Sequence, residues 1–328
     1  MAIGVLSIGS HAPGLIVNNR KISEWTGAGE DWIEQRTGVL ERRYAEPGTA
    51  TSDLAMSAAL EALEAAGPGA GERLSALIVA TCTPDVPQPA TAAILQHKLG
   101  LRAVPSFDLN AVCSGFLYGL TLGEAMLSGR FTGGYALVVG ADMFSAIMDR
   151  TDRRTVSLFG DGAGAVVLGE VPEGYGIQAV DLVTDGDLHH YVGVEAGGTR
   201  TPLDGRARAR GAHFFRMDGR SVRNYALVTL RKTIGNALSE CDLGFEDIDR
   251  FIFHQANTRL LEHFAAEVGL DMAQITLTAP FLGNTAAASI PLTLHQAHRE
   301  RPLQRGERIL MASVGGGMTA GAVVLTWY

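Results

Sequence analysis

The chain has three cysteines in 328 residues, Cys82, Cys113 and Cys241, an odd number at wide spacing with no CxxC pair. That excludes a disulfide framework and a zinc ribbon, so each thiol is judged alone. It has no excess of positive charge either. Lys plus Arg total 27 against 35 Asp plus Glu, a net charge of −8, which disfavours binding to nucleic acid or to an anionic membrane and leaves small molecules or other proteins as partners. No apolar run approaches the roughly 20 residues that span a bilayer. The first stretch, MAIGVLSIGSHAPG, has neither a basic n-region nor a long h-region, so a cytoplasmic protein is expected. GDGAG at 160–164 lacks the Lys-Ser/Thr ending of a P-loop and the GxGxxG spacing. Tight turns and close backbone packing explain it, and no metal or permanently bound cofactor is expected.

What is present is a 46% hydrophobic chain able to bury a large core. Strand-like ALIVATC (76–82), helical ATAAILQHKLG (90–100), strand-like SFDLNAV (106–112), helical GFLYGLTLGEAMLSG (115–129) and strand-like YALVVGA (135–141) follow one another. That order predicts an α/β fold with a mostly parallel sheet covered by helices. It returns in RFIFHQA (250–256), TRLLEHFAAEVGL (258–270), QITLTAP (274–280), AASIPLTLHQAHRE (287–300) and RILMASV (308–314). The closing strands share GAVVL, at 164–168 and 321–325, each after glycine-rich sequence. An internal duplication is inferred, with halves 1–172 and 173–328 and no linker-like tract between them.

By rank in the repeat, Cys113 and Asn284 both follow the third-from-last strand of their half, and His254 ends the strand corresponding to ALIVATC. Ligands gather beyond the carboxyl ends of parallel strands, so the three side chains are expected in one crevice. A cysteine is more often a small buried hydrophobe. Here it stands where a strand gives way to a helix start, whose free amides and positive dipole end lower a thiol pKa and receive an oxyanion. His254 ends an apolar run, and Asn284 beside Gly283 also suits a helix cap or a turn. Together the three supply a covalent nucleophile and two neutral donors for an enolate or oxyanion.

Ordered motifs then carry a resemblance over essentially the full length: DWIEQRTGV (31–39), NAVCSGF (110–116), FGDGAGAVVL (159–168), HQANTR (254–259), GNTAAASIP (283–291) and GGG (315–317). The chain resembles the β-ketoacyl-acyl-carrier-protein synthase III family of the thiolase-like superfamily. The resemblance implies a five-layer αβαβα fold, a homodimer, and an acyl group carried from CoA to the cysteine and joined to a malonyl unit with loss of carbon dioxide. Cys113 resembles the acylated nucleophile, and His254 with Asn284 the pair holding the malonyl thioester carbonyl. The amides of Cys113 and Gly316 resemble the oxyanion hole. Trp32 resembles the residue stacked on the CoA adenine, Arg153 the arginine on its other side, and Arg36 and Thr37 the contacts at the pantetheine-nucleotide end. Asn257 and Arg259 resemble residues at the mouth of the pantetheine tunnel. The CoA thioester is substrate, not cofactor.

Several positions depart from the family pattern. Gln88, in the loop TPDVPQPAT, stands where an aromatic often closes the partner subunit's acyl pocket, which implies a different acyl group. Val314 replaces a phenylalanine associated with decarboxylation. Asn224, Ala266 and Glu267 stand where lysines dock the acidic carrier protein, with Arg220, Arg223 and Arg259 near by. RARAR (206–210) suits an exposed loop. The expected activity is a priming ketosynthase for polyketide or fatty-acid synthesis, its malonyl thioester on carrier protein or CoA. The alternative is an acyltransferase on the same scaffold that forms an ester or amide.

Overall fold

A computed structural model describes residues 1–328. The alternating runs assemble into two large sheets. The first has five strands in the order Ala2–His11, Asp161–Val171, Tyr135–Met143, Leu74–Ala80, Ser106–Leu109. The second has four, in the order Gly176–Thr184, Thr319–Thr326, Arg308–Gly315, Arg250–Phe253. Read in that direction the first four strands of the five-stranded sheet correspond to the four of the other, Ser106–Leu109 having no counterpart, and the two GAVVL segments occupy the same place in each.

Three layers of helix enclose them. Helices Thr51–Ala65 and Thr91–Lys98 pack on the outer face of the first sheet, and Gly219–Glu240 and Thr258–Val268 on the outer face of the second. Gly115–Ser128 and Ser289–Glu300 lie between the sheets. Position follows composition. Phe116, Leu117, Leu120 and Leu127 are buried around Gly115–Ser128, as a helix covered on both sides requires. In Gly219–Glu240 the buried residues Ala226, Leu230, Thr233, Ile234, Ala237 and Leu238 form one stripe, the amphipathic pattern of an outer layer. The result is the five-layer thiolase-like fold. No helix is long and apolar enough to cross a membrane.

Three expectations are corrected. The sheets are mixed, not mostly parallel: Leu74–Ala80 runs parallel to both neighbours, but Asp161–Val171 and Thr319–Thr326 are antiparallel to theirs. In the second half, a three-residue turn after Arg308–Gly315 reverses the chain, and a reversal that short can join only antiparallel strands. QITLTAP is not a strand. Only Ile275 bridges to Phe251, because the Gln255 amide takes the backbone groups a ladder would use: it donates to Thr276 O (3.1 Å) and accepts from Thr278 N (3.1 Å) and Ala279 N (3.2 Å). Pro280 then enters a short helix, Ala279–Leu282. Cys82 lies beyond the end of its strand at Ala80, half-buried among the residues around Cys113.

Candidate active site

Cys113 and Asn284 sit in two turns of the same construction. Asn110 Oδ1 accepts from Val112 N (3.2 Å), Val112 has φ 50°, and the turn Val112–Ser114 leads into the central helix Gly115–Ser128. Asn284 Oδ1 accepts from Ala286 N (2.9 Å), Ala286 has φ 47°, and Ala286–Ala288 leads into the other central helix. A β-branched residue at positive φ costs about 1–3 kcal/mol, so the Val112 turn must be held from outside. Ser313 Oγ donates to Cys113 O (3.0 Å) and Thr319 Oγ to Ala111 O (2.8 Å), both from the second half. The Asn284 turn is joined to the 158–160 segment by Asn284 N to Leu158 O (2.8 Å) and Gly160 N to Asn284 O (3.0 Å). Because its Oδ1 is occupied within the turn, Asn284 presents Nδ2 as a donor.

His254 follows strand Arg250–Phe253, and its N–H donates to Ala312 O (2.8 Å), one residue before the Ser313 that holds Cys113. The ring is buried and Nδ1 has no partner, leaving Nε2 as the nitrogen open to the site. Burial pushes its pKa down to about 3, so the imidazole is neutral near pH 7.

The Cys113 thiol differs from expectation. Burial, followed by the negative charge of Asp142, pushes it well above the ordinary thiol range. The helix N-terminus is present, but in the resting enzyme desolvation opposes the anion more strongly. A glycine is required behind this thiol: a Cβ on Gly315 would lie 2.8 Å from Cys113 N and 2.8 Å from Ala111 O. That close approach brings the Gly315–Gly316 backbone beside the Cys113 amide. Val314, before it, is buried in the second sheet's outer core.

A cavity of about 1290 Å³ opens at the Asn284 turn, lined by Asn284 and Leu158 and by Trp32, Arg36 and Thr37; Cys113 and His254 are not among its lining residues. Arg153 lies over the Trp32 ring, 4.9 Å from its centroid, although Arg154 is the one that lines the cavity. Thr37 is buried, and its hydroxyl serves the end of its own helix by donating to Ile33 O (2.7 Å) and accepting from Val39 N (3.0 Å). Asn257 and Arg259 line the cavity, yet their polar atoms are largely engaged. Asn257 caps helix Thr258–Val268 and donates to Arg36 O (3.2 Å). Arg259 pairs with Glu262 (2.7 Å) and donates to the carbonyls of Glu34 and Gln35. Gln88 is exposed in the loop before Thr91 and does not line this cavity.

Sequence reasoning missed six residues. Asp142 is a fully buried carboxylate at the end of Tyr135–Met143, detectable in sequence only as an acid closing an apolar strand. Ser313 carries no such signal. Arg42 is fully buried and donates to Ser157 O (2.7 Å), next to the residue that anchors Asn284. Phe144, Phe159 and Phe215 are three distant aromatics packed in the Cys113 cluster, with centroids 4.4, 5.2 and 5.0 Å apart.

Comparison with known proteins agrees with this geometry. Residues 107–186 match the family model 3-oxoacyl-[acyl-carrier-protein] synthase III, and residues 238–327 match the model for its C-terminal part. An acetoacetyl CoA synthase of a Streptomyces species is 43% identical over 98% of both chains. A β-ketoacyl-[acyl-carrier-protein] synthase III of Desulfitobacterium hafniense is 39% identical over 100% of this chain and 98% of its own. The crystal structure of the Pseudomonas aeruginosa 3-oxoacyl-(acyl carrier protein) synthase III superposes with a TM-score of 0.90, at 35% identity over 100% of this chain and 98% of that one. The chain belongs to the β-ketoacyl-acyl-carrier-protein synthase III family, and is an acyltransferase of the condensing type.

Proposed function

We propose that this enzyme loads a short acyl group, acetyl or close to it, from acyl-CoA onto Cys113 and condenses it with malonyl-CoA to release a 3-oxoacyl-CoA. The observation that carries the acyl length is the packing beside the thiol. Phe144, Phe159 and Phe215 are all buried and mutually stacked, and none of them lines the large cavity. The name of the Streptomyces relative, an acetoacetyl CoA synthase, specifies a four-carbon product of that kind. A cytoplasmic homodimer, in which the exposed Gln88 of one copy would reach the acyl pocket of the other, belongs to this reading.

Charge supports CoA at both steps. Arg36, Arg200, Arg220 and Arg223 line the cavity, and none of the four is in an ion pair. Such free guanidiniums suit the phosphates of CoA. At the positions where the resemblance places docking lysines stand Asn224, Ala266 and Glu267, the last paired with Arg231 (2.8 Å), so the cations that would meet an acidic carrier protein are missing there.

In the first half-reaction the Cys113 sulfur bonds to the acyl carbonyl carbon, its proton passing to the departing CoA thiolate. The amides of Cys113 and Gly316 hold the tetrahedral oxyanion, each donor contributing about 3 kcal/mol. In the second, the malonyl carboxylate leaves as carbon dioxide and the carbanion attacks the acyl carbon, expelling the Cys113 thiolate. His254 Nε2–H and Asn284 Nδ2 donate to the malonyl thioester oxygen as it takes up the charge. Both are neutral, so neither places a full positive charge against the enolate.

Intact-protein mass after exposure to acetyl-, butyryl- and octanoyl-CoA tests the donor, and peptide mapping tests Cys113 as the single acylated residue. Labelled malonyl-CoA and malonyl carrier protein, offered to acetyl-loaded enzyme, test the acceptor. Octanoyl loading as fast as acetyl, or carbon dioxide released only with the carrier protein, would count against the proposal. An ester or amide product without carbon dioxide would favour the acyltransferase alternative.

A further inference from the structure

The Asp142 carboxylate touches no part of the large cavity and has no place in the two half-reactions, yet it is among the most heavily hydrogen-bonded buried groups of the chain. Its Oδ1 accepts from Thr81 Oγ (3.0 Å), Cys82 N (2.8 Å), Thr83 N (3.1 Å) and Thr83 Oγ (2.8 Å), all on the segment that continues the neighbouring strand. The Cys82 thiol adds a fifth donor at 3.4 Å. Its Oδ2 accepts from Ala287 N (2.9 Å), in the turn directly after Asn284. Both oxygens therefore face donors only, a demand that an ionised carboxylate meets and a carboxamide does not.

The two catalytic turns have different anchors. The Cys113 turn is held by Ser313 and Thr319 of the second half, whereas the Asn284 turn is held from the first half by backbone bonds to Leu158 and Gly160 at its start and by the Asp142 carboxylate, which accepts from Ala287 N, at its far side. We propose that Asp142 is a positioning residue for the condensation step, fixing the 284–288 turn so that Asn284 Nδ2 faces the malonyl thioester. The proposal rests on the assignment of Asn284 to decarboxylation. It also explains why a buried charge is kept beside the nucleophile. Asp142 opposes ionisation of Cys113, so its place in the site has to come from something other than help to the thiolate.

Asp142→Asn puts an NH2 group against either Ala287 N–H or the 81–83 donors. A displacement of about 1 Å in a substrate-positioning group costs about 100-fold in rate. For D142N we expect carbon dioxide release from acetyl-loaded enzyme to fall by about that factor, while acetyl transfer from acetyl-CoA to Cys113 stays the same or quickens. Ser313→Ala, which loosens the Cys113 turn, should by contrast lower acetyl transfer. Thr83→Val, which removes one Oδ1 donor at similar volume, should repeat the D142N pattern more weakly and serves if D142N does not fold. The double variant D142N/N284A should release carbon dioxide no more slowly than N284A.

Equal losses in both half-reactions of D142N and T83V, or multiplied losses in the double variant, would overturn the positioning role. Full carbon dioxide release by N284A alone would instead sink the underlying assignment of Asn284, whatever D142N does.

Discussion

Replacing Gly315 with alanine should cripple both half-reactions together. The perturbation is one methyl group whose carbon would lie 2.8 Å from Cys113 N, 2.8 Å from Ala111 O and 2.8 Å from Thr319 Oγ. Two of these three neighbours are backbone in the strained turn at Val112 (φ 50°), so relief cannot come from a side-chain rotamer alone. Gly315 itself has φ −129°, which any residue adopts, so the cost is steric. Overpacking of this kind costs about 1–3 kcal/mol of stability, a loss of several degrees in Tm for a chain of this size. The larger effect falls on the amide of Cys113, which the methyl group pushes out of line with the developing oxyanion. Loss of one such donor is worth about 10²–10³ in rate. Acyl-enzyme formation followed by quenched-flow mass spectrometry, and carbon dioxide release from acyl-loaded enzyme, should both drop by about that factor while the protein remains folded by calorimetry. Normal acylation by folded G315A would refute the assignment of the Cys113 amide to the oxyanion hole.

Three further outcomes follow from the geometry. His254 has a folded pKa of about 3, below its unfolded value, so the unfolded chain binds more protons between those two values and stability rises with pH across that window; His254→Gln should flatten the fall in Tm between pH 6.5 and 4, and an unchanged slope would show that the ring is not buried neutral. Arg36→Ala should raise KM for acyl-CoA with kcat largely kept, the mark of uniform binding lost, and a fall in kcat alone would remove Arg36 from the nucleotide end. Phe144→Ala should speed loading of butyryl- over acetyl-CoA relative to wild type, at about 3–5 kcal/mol of stability; unchanged preference would mean that the aromatic packing does not set acyl length.

The candidate site could be proposed from sequence because its signals are local. Cys113 at a strand-to-helix junction, His254 at the end of an apolar strand and Asn284 beside glycine each advertise position through their immediate neighbours, and the repeated order of elements is what suggested one crevice for all three. Trp32 and Arg153, which the resemblance places on opposite sides of the CoA adenine, are 121 positions apart in sequence and here meet directly at 4.9 Å. QITLTAP misleads because its alternation is genuine strand patterning, while the group that takes its backbone bonds is the amide of Gln255, some 20 residues earlier.

Order and periodicity of elements, both written in the linear chain, specify the duplicated α/β architecture, and motifs whose neighbours are covalently fixed single out the three candidate side chains. Only folding sets their electrical state and their company. The thiol is raised and the imidazole lowered because folding removes both from water, and desolvation depends on everything packed around a group. The aromatic wall assembles from residues 144, 159 and 215, and the Asp142 anchor from segments near 81, 142 and 287. Contacts across such separations exist only once the chain has closed, and no local pattern of residues encodes them.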